Sequence, residues 1–215
     1  ITGLRGQYAH GNEPSHHVAY LASYAGDPGA SAKRVDEICD SFYSNAPDGL
    51  CGNEDCGQMS AWYVWSALGM YPVTPAAGEV VMGSPRFKRA VVQPAQGHPP
   101  TEIRARGLNP MAIYPSALRL HASDGTSSPM LKQSFIDIDW LRRGGLVEVL
   151  MASKPDPLFG VAPELRPHSD WETEGFVAVP SFTAPRTFQA DSIEWSVDHL
   201  HHDALVECSQ DGGLT

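Results

Sequence analysis

Up to Pro72 the apolar residues recur at helical spacing, and beyond it they alternate. From Pro14 to Tyr24, Val18, Leu21 and Ala22, with Ala25 one turn on, fall at intervals of three and four. That spacing predicts a first helix with Pro14 in its opening turn and Gly26 as its stop. After Asp27-Pro28-Gly29, Ser31 is placed to cap a second helix that carries Val35, Ile38, Cys39 and Phe42 on one face and ends near Tyr43. A loop from Asn45 to Gly57 leads to a third segment, Gln58 to Leu68, stopped by Gly69 and Pro72. Its apolar residues, among them Met59, Ala61, Trp62, Val64, Trp65 and Leu68, go nearly all the way round, which predicts a buried helix. Short connectors make successive helices antiparallel, as in bundles and α/α barrels. The loops before helices one and three then emerge at the same end, so Tyr8 to Glu13 and Gly49 to Gly57 can share one site.

Past Pro72 the period falls towards two. Val80-Val81-Met82, Ala90-Val91-Val92, Ile103, Ala117 to Leu120, Phe135 to Ile138 and Leu146 to Leu150 read as short strands separated by Gly, Pro, Asp and Ser. They predict an antiparallel β subdomain over 73–157, closed by Pro155-Asp156-Pro157. Residues 158–175 show no period and are expected to be linker. Residues 176–215, with Ile193, Trp195 and Val197 alternating, read as the opening of a separate β module. The fold class is therefore α+β. The first residue is Ile and the last stretch, Asp211 to Thr215, reads as the middle of a turn, so the chain is expected to be a fragment.

Charge and cysteine usage narrow the chemistry. The 15 Lys and Arg against 25 Asp and Glu leave a net charge of -10, which argues against a phosphate-backbone partner. No apolar run approaches membrane-spanning length. Four cysteines are too few for a disulfide scaffold; Cys51 and Cys56 bracket a polar loop and are expected to be a loop disulfide or two buried thiols. Arg142-Arg143 and the His199, His201, His202 cluster read as solvated turns.

The two loops carry the candidate chemistry. The first supplies His10, Asn12, Glu13, His16 and His17; the second supplies Asp48, Asn53, Glu54, Asp55 and Gln58. Paired carboxyls suit glycosidic bond hydrolysis, one protonating the leaving oxygen and the other activating water, and on the residues alone Glu13 is the acid and Asp55 the base. Carboxylate, Asn and backbone carbonyls equally suit a hard cation such as calcium. Glu13 and Asp55 as plain helix caps is the structural alternative. Zinc fits poorly, because His10, His16 and His17 lack a His-Glu-x-x-His spacing. Trp62-Tyr63-Val64-Trp65 reads as core in preference to a sugar platform.

Tyr8-Ala9-His10-Gly11-Asn12-Glu13-Pro14-Ser15-His16-His17, then Gly52 to Val64, then Ser66 to Val73, and Gly83-Ser84-Pro85 beyond, together resemble the calcium-dependent α-mannosidases of glycoside hydrolase family 92. The resemblance covers about residues 1–157 and only the C-terminal part of the family's catalytic chain. It implies an inverting exo-α-mannosidase, α-1,2-linked mannose being the expected substrate, acting on mannose-containing glycans in a secreted or periplasmic setting. It implies that residues 1–72 are the last helices of an (α/α)6 barrel and that 73–157 close the catalytic region; separately, Val179-Pro180-Ser181-Phe182 and Ala184-Pro185-Arg186-Thr187-Phe188 resemble the β-sandwich modules appended to bacterial glycosidases, so that 176–215 are expected to be part of such an accessory module. It also implies Ca2+ held through Gly11, Asn12 and Glu13, sugar contacts from His10, His16 and His17, and Asp55 as general base. Position 53, often Asp in the family, is Asn53 here, which leaves its share in the base role open. The family's acid lies in an upstream Glu-Gly-Asn motif that this chain does not contain, so the chain is expected to be inactive alone. The rival reading is a non-catalytic carbohydrate-binding or structural remnant.

Overall fold

The computed structural model describes residues 3–75, 77–93 and 97–169, and the backbone of 181–183 and 196–198. The chain divides into two units after His168. A two-stranded hairpin, β1 (Leu4–Arg5) against β2 (Tyr8–Ala9), opens the first unit. It feeds a 3-10 helix, Glu13–Tyr20, which relaxes into a single α-helical turn, α1 (Leu21–Tyr24). Eight residues is long for a 3-10 helix. The Ser15 hydroxyl on the Asn12 carbonyl (2.8 Å) and the Trp62 indole N–H on the His16 carbonyl (3.2 Å) compete there with α-type bonds.

The inward face of this first helical segment differs from the expected one. His16, Ala19, Tyr20 and Ser23 are buried, while Leu21 is 44% exposed. The His16 ring and the Tyr20 hydroxyl are hydrogen-bonded across the fold, which lowers the cost of burying them, whereas the Ser23 hydroxyl has no partner among the described residues. The second helix, α2 (Pro28–Phe42), keeps its predicted face, with Val35, Ile38 and Cys39 buried. Its cap is Asp27, whose carboxylate accepts the Ala30 N–H at 2.9 Å, and not Ser31. Ser31 instead stitches the two helices together: its hydroxyl accepts from the Ser23 N–H (3.0 Å) and donates to the Tyr20 carbonyl (3.1 Å).

The third helix, α3 (Gln58–Ala67), buries Met59, Trp62, Ser66 and Ala67. It is not buried all round, since Val64 is 56% exposed. Its outer side, with Val64, Trp65 and Leu68, lines an open apolar groove of about 460 Å³ completed by residues such as Met70, Ile103 and Leu141.

Between Pro72 and Pro155 each predicted strand segment forms, Ile138 excepted. β3 (Met70–Tyr71), β4 (Glu79–Met82) and β8 (Phe135–Asp137) make one sheet; β5 (Arg89–Val92), β6 (Thr101–Arg106), β9 (Gly145–Ala152) and β7 (Tyr114–Ala122) make a second in that order. The sheets are not wholly antiparallel. β9 occupies the slot between β6 and β7, antiparallel to β7 and parallel to β6. Ile138 leaves the strand because Asp137 caps a short helix, α4 (Ile138–Arg142), by accepting the Asp139 N–H at 2.8 Å. Arg142 and Arg143 have ion partners in Asp139 (3.0 Å) and Asp124 (2.6 Å).

β4 holds the unit together because both its faces are buried. Val80 and Met82 join the core between the sheets with Ile103, Leu118, Ile136 and Val149, whereas Val81 packs into the helical core with Tyr20, Val35, Ile38 and Trp62. Alternation of side chains along a strand makes that division automatic.

Residues 158–168 are not a linker. Phe159 is 1% exposed within the inter-sheet core. The Gly160 N–H donates to Lys132 C=O (2.6 Å), the Ser134 N–H to Leu165 C=O (2.9 Å), and the Lys132 ammonium pairs with Asp156 at 2.9 Å. Buried Glu79 accepts both the N–H of His168 (2.9 Å) and its Nδ1 (2.6 Å). Proline-rich, aperiodic sequence concealed a segment whose stabilisation comes from one aromatic anchor and backbone pairing. In the second unit, β10 (Ser181–Thr183) pairs antiparallel with β11 (Ser196–Asp198). The rest of the expected accessory module, the 199–202 histidines included, lies outside the described residues.

Candidate active site

The two polar loops meet, as their placement at the same helical end predicts. A side chain on Gly52 would lie 2.9 Å from the Gly11 carbonyl oxygen, so the backbones of the two turns are in contact. Gly52 also has φ +77, a conformation that glycine adopts without steric cost. The His10 N–H donates to the Gly3 carbonyl at 3.0 Å, tying the first turn to the start of the hairpin.

The second loop ends in three successive left-handed residues, Asp55 (φ 45), Cys56 (φ 58) and Gly57 (φ 91). Only the last is glycine, so Asp55 and Cys56 store strain, of the order of 1–2 kcal/mol for each. The bonds that hold them run into α3: the Gln58 N–H donates to the Asp55 carbonyl (3.2 Å) and the Met59 N–H to the Glu54 carbonyl (3.3 Å). Glu54, not Asp55, does the capping, its carboxylate accepting the Ser60 N–H at 3.2 Å. Asp55 is thereby left exposed, with its carboxyl in hydrogen-bonding reach of Glu13. That hydrogen bond, followed by the Glu13 charge, holds the Asp55 pKa above the usual carboxylate range. Glu13 Oε1 is buried and has no hydrogen-bond donor. Two carboxyls so placed need a shared proton or a cation between them.

Asn12, Asn53 and His17 are exposed and Gly11 is half-buried. His10 and His16 are not; they are 0% and 1% exposed, and their rings stack at 4.7 Å. Both rings have internal partners at both nitrogens. The Tyr43 hydroxyl donates to the Met59 carbonyl (3.1 Å), so it accepts from His10 Nε2 (2.6 Å), and His10 Nδ1 then accepts from the Tyr8 hydroxyl (2.8 Å). By the same reasoning the Gln58 amide donates to His16 Nδ1 (3.0 Å), and His16 Nε2–H donates to the His10 carbonyl (3.0 Å). Burial, reinforced by the neighbouring His16, drives the His10 pKa down to about 3, and burial lowers that of His16 as well. Both rings are neutral at physiological pH, closed to direct contact with a ligand, and act on the site through the turn they support.

The braces that sequence reasoning missed are Tyr8, Tyr43 and Tyr71. Aromatic residues read as core, and only their hydroxyl partners reveal the second role. Cys51, buried, and Cys56, exposed, are free thiols and not a loop disulfide; Cys39 is a third free thiol, and burial pushes its pKa up to about 12. Among the described residues no group of three or more His, Cys, Asp and Glu side chains converges, and His10 and His16 have both ring nitrogens engaged inside the protein. Trp62 is fully buried against His10, Tyr20 and Tyr43, as a core residue.

Among known proteins, the chain is 33% identical over 146 residues to an uncharacterized secreted glycosidase of Arthroderma benhamiae, a match that covers 67% of this chain and 18% of that protein. The structure is similar to a family GH92 alpha-mannosidase of Bacteroides thetaiotaomicron solved with mannoimidazole, with a TM-score of 0.70 and 38% identity over 79% of this chain and 21% of that one. It is also similar to a family GH92 inverting mannosidase of the same organism, with a TM-score of 0.66 and 35% identity over 76% of this chain and 21% of that one. The chain thus spans about a fifth of the length of these relatives. The model of the glycosyl hydrolase family 92 catalytic domain matches residues 1–153, and with well over half of its length so matched the chain belongs to that family.

Proposed function

We propose that this chain is the C-terminal part of the catalytic region of an inverting exo-α-mannosidase, one that removes terminal, α-1,2-linked mannose from glycans outside the cytoplasm. The observation that carries the reading is the meeting of the Glu13 turn with the Asp55 loop, supported by the similarity to mannosidases of the family. In this reading residues 1–72 supply the last helices of an (α/α)6 barrel. Among the described residues no helix is long and apolar enough to cross a membrane.

Asp55 serves as general base. It takes a proton from the water that attacks the anomeric carbon, while the carbon–oxygen bond to the leaving group breaks on the opposite face. The leaving oxygen must be protonated by another acid. Glu13 is poorly suited to that task, because the acid and base of an inverting glycosidase stand about 6.5–9.5 Å apart to admit water, and the Glu13 carboxyl lies close enough to shift the Asp55 pKa. In this reading the acid is the one that the resemblance to the family implies, in an upstream Glu-Gly-Asn motif outside these two loops.

Glu13 fits a metal role better. An orphaned, buried carboxylate oxygen beside a second carboxyl, with the Gly11 carbonyl and the Asn12 side chain on the same turn, is an all-oxygen donor set suited to a hard cation such as Ca2+. Calcium there would supply positive charge to hydroxyls of the terminal mannose. In this reading His17, the exposed ring of the turn, hydrogen-bonds the sugar, and Asn53 flanks Asp55.

The test is mannose release by the full-length enzyme. Asp55→Asn suits it better than Asp55→Ala, because Asn tolerates φ 45 and keeps the loop in place. Turnover should fall about 10²–10⁴-fold, calcium chelation should abolish it, and the first product seen by NMR should be the β-anomer. Near-normal turnover in Asp55→Asn, or α-mannose as first product, would remove Asp55 as base of an inverting reaction.

A further inference from the structure

Gln58 is the first residue of α3 and bonds in two directions. Its backbone N–H holds the Asp55 carbonyl at 3.2 Å. Its side-chain amide donates to His16 Nδ1 at 3.0 Å and lies 3.2 Å from the Tyr71 hydroxyl. His16 carries the connection onward, since Nε2–H donates at 3.0 Å to the His10 carbonyl, the peptide group leading into Gly11, Asn12 and Glu13. The path from the base-bearing loop to the Glu13 turn is thus Asp55 carbonyl, Gln58, His16, His10 carbonyl. Each link is a directional hydrogen bond, and His16 is 1% exposed, so water does not replace a lost partner. The Asp55 loop is left-handed over consecutive residues and would relax if released.

We propose that Gln58 and His16 form a positioning pair that sets the spacing between the Asp55 and Glu13 carboxyls; neither residue touches the sugar. The proposal rests on Asp55 and Glu13 being the base and the cation ligand. The pair converts α3, a rigid core helix anchored by Trp62, into the reference against which both loops are registered. A donor is required at position 58 because neutral His16, donating through Nε2 to a carbonyl, presents only a lone pair at Nδ1.

The experiment uses the full-length enzyme. Gln58→Met keeps the side-chain length and removes the donor. It should lower kcat about 10–100-fold, with a smaller change in KM, and weaken calcium binding measured by calorimetry by a similar factor, as losses of groups supporting a metal ligand do. His16→Phe keeps a buried ring and removes both bonds. It should show the same losses, and the double variant should cost no more than the worse single one, since the two act as one brace. Should His16→Phe not fold, Gln58→Met decides alone through kcat and calorimetry. Wild-type kcat and calcium binding in Gln58→Met, or additive losses in the double variant, overturn the proposal. Mannose release that ignores chelator in the unsubstituted enzyme would overturn the calcium reading instead, a result that the Gln58 measurements do not produce.

Discussion

His10 makes the stability of this fold acid-sensitive in a window that belongs to histidine. Its ring is 0% exposed, hydrogen-bonded at both nitrogens, and carries a pKa lowered from 6.5 to about 3, first by burial and then by His16. The native state keeps the ring neutral while the unfolded chain takes up a proton below about pH 6.5, so the unfolded state binds more protons and stability falls as pH falls. The contribution is complete above pH 6.5, shrinks by about 1.4 kcal/mol per pH unit on acidification, and is gone near pH 3, for a total of at most about 5 kcal/mol. The assay is urea unfolding of the chain followed by tryptophan fluorescence at pH 7.5, 6, 5 and 4.5, for the wild type and for His10→Phe. At pH 7.5 the variant should be the less stable by about 1–3 kcal/mol, because the Tyr8 hydroxyl loses its partner. The gap should close by about 1.4 kcal/mol per unit between pH 6 and 4.5, since Phe has no proton to gain. Taking the difference between two proteins cancels the carboxylates, which titrate in both. Parallel stability curves for the two proteins would refute the assignment of a buried neutral ring.

Other substitutions test the remaining links. Cys56→Gly should raise stability by about 1 kcal/mol, seen as a thermal midpoint about 2–4 °C higher, because φ 58 costs a side chain what glycine avoids. Ser31→Ala should cost about 1–3 kcal/mol in urea unfolding by leaving the buried Ser23 N–H without an acceptor. Phe159→Ala should cost about 3–5 kcal/mol, a large-to-small change in the inter-sheet core. A residue in a true linker would cost nothing there, so the same urea series decides whether the domain runs to His168.

What could be read from the residues alone followed from the physical source of each signal. β4 and the strands beyond it were legible because a short apolar run between turn residues has few other uses. Val35, Ile38 and Cys39 declared the face of α2 for the same reason. The first helical segment misled because its inward side is partly polar: His16 and Ser23 count as outward in any apolar period, and the group that makes the burial of His16 tolerable, Gln58, comes from 42 residues away. Parallel pairing of β6 with β9 was equally hidden, since alternation reports a face and not a direction. The site shows the same division. That the two polar loops would meet followed from helix order alone, whereas the left-handed run at Asp55 and Cys56 has no signature in two residues that usually avoid it. Local preference is violated at Asp55 and Cys56 by backbone conformation and at His10 and His16 by burial, and the two histidines are held by bonds from the distant residues Tyr43 and Gln58. Such a site is expected to be misread by local rules, because its geometry is imposed by the rest of the fold against local preference.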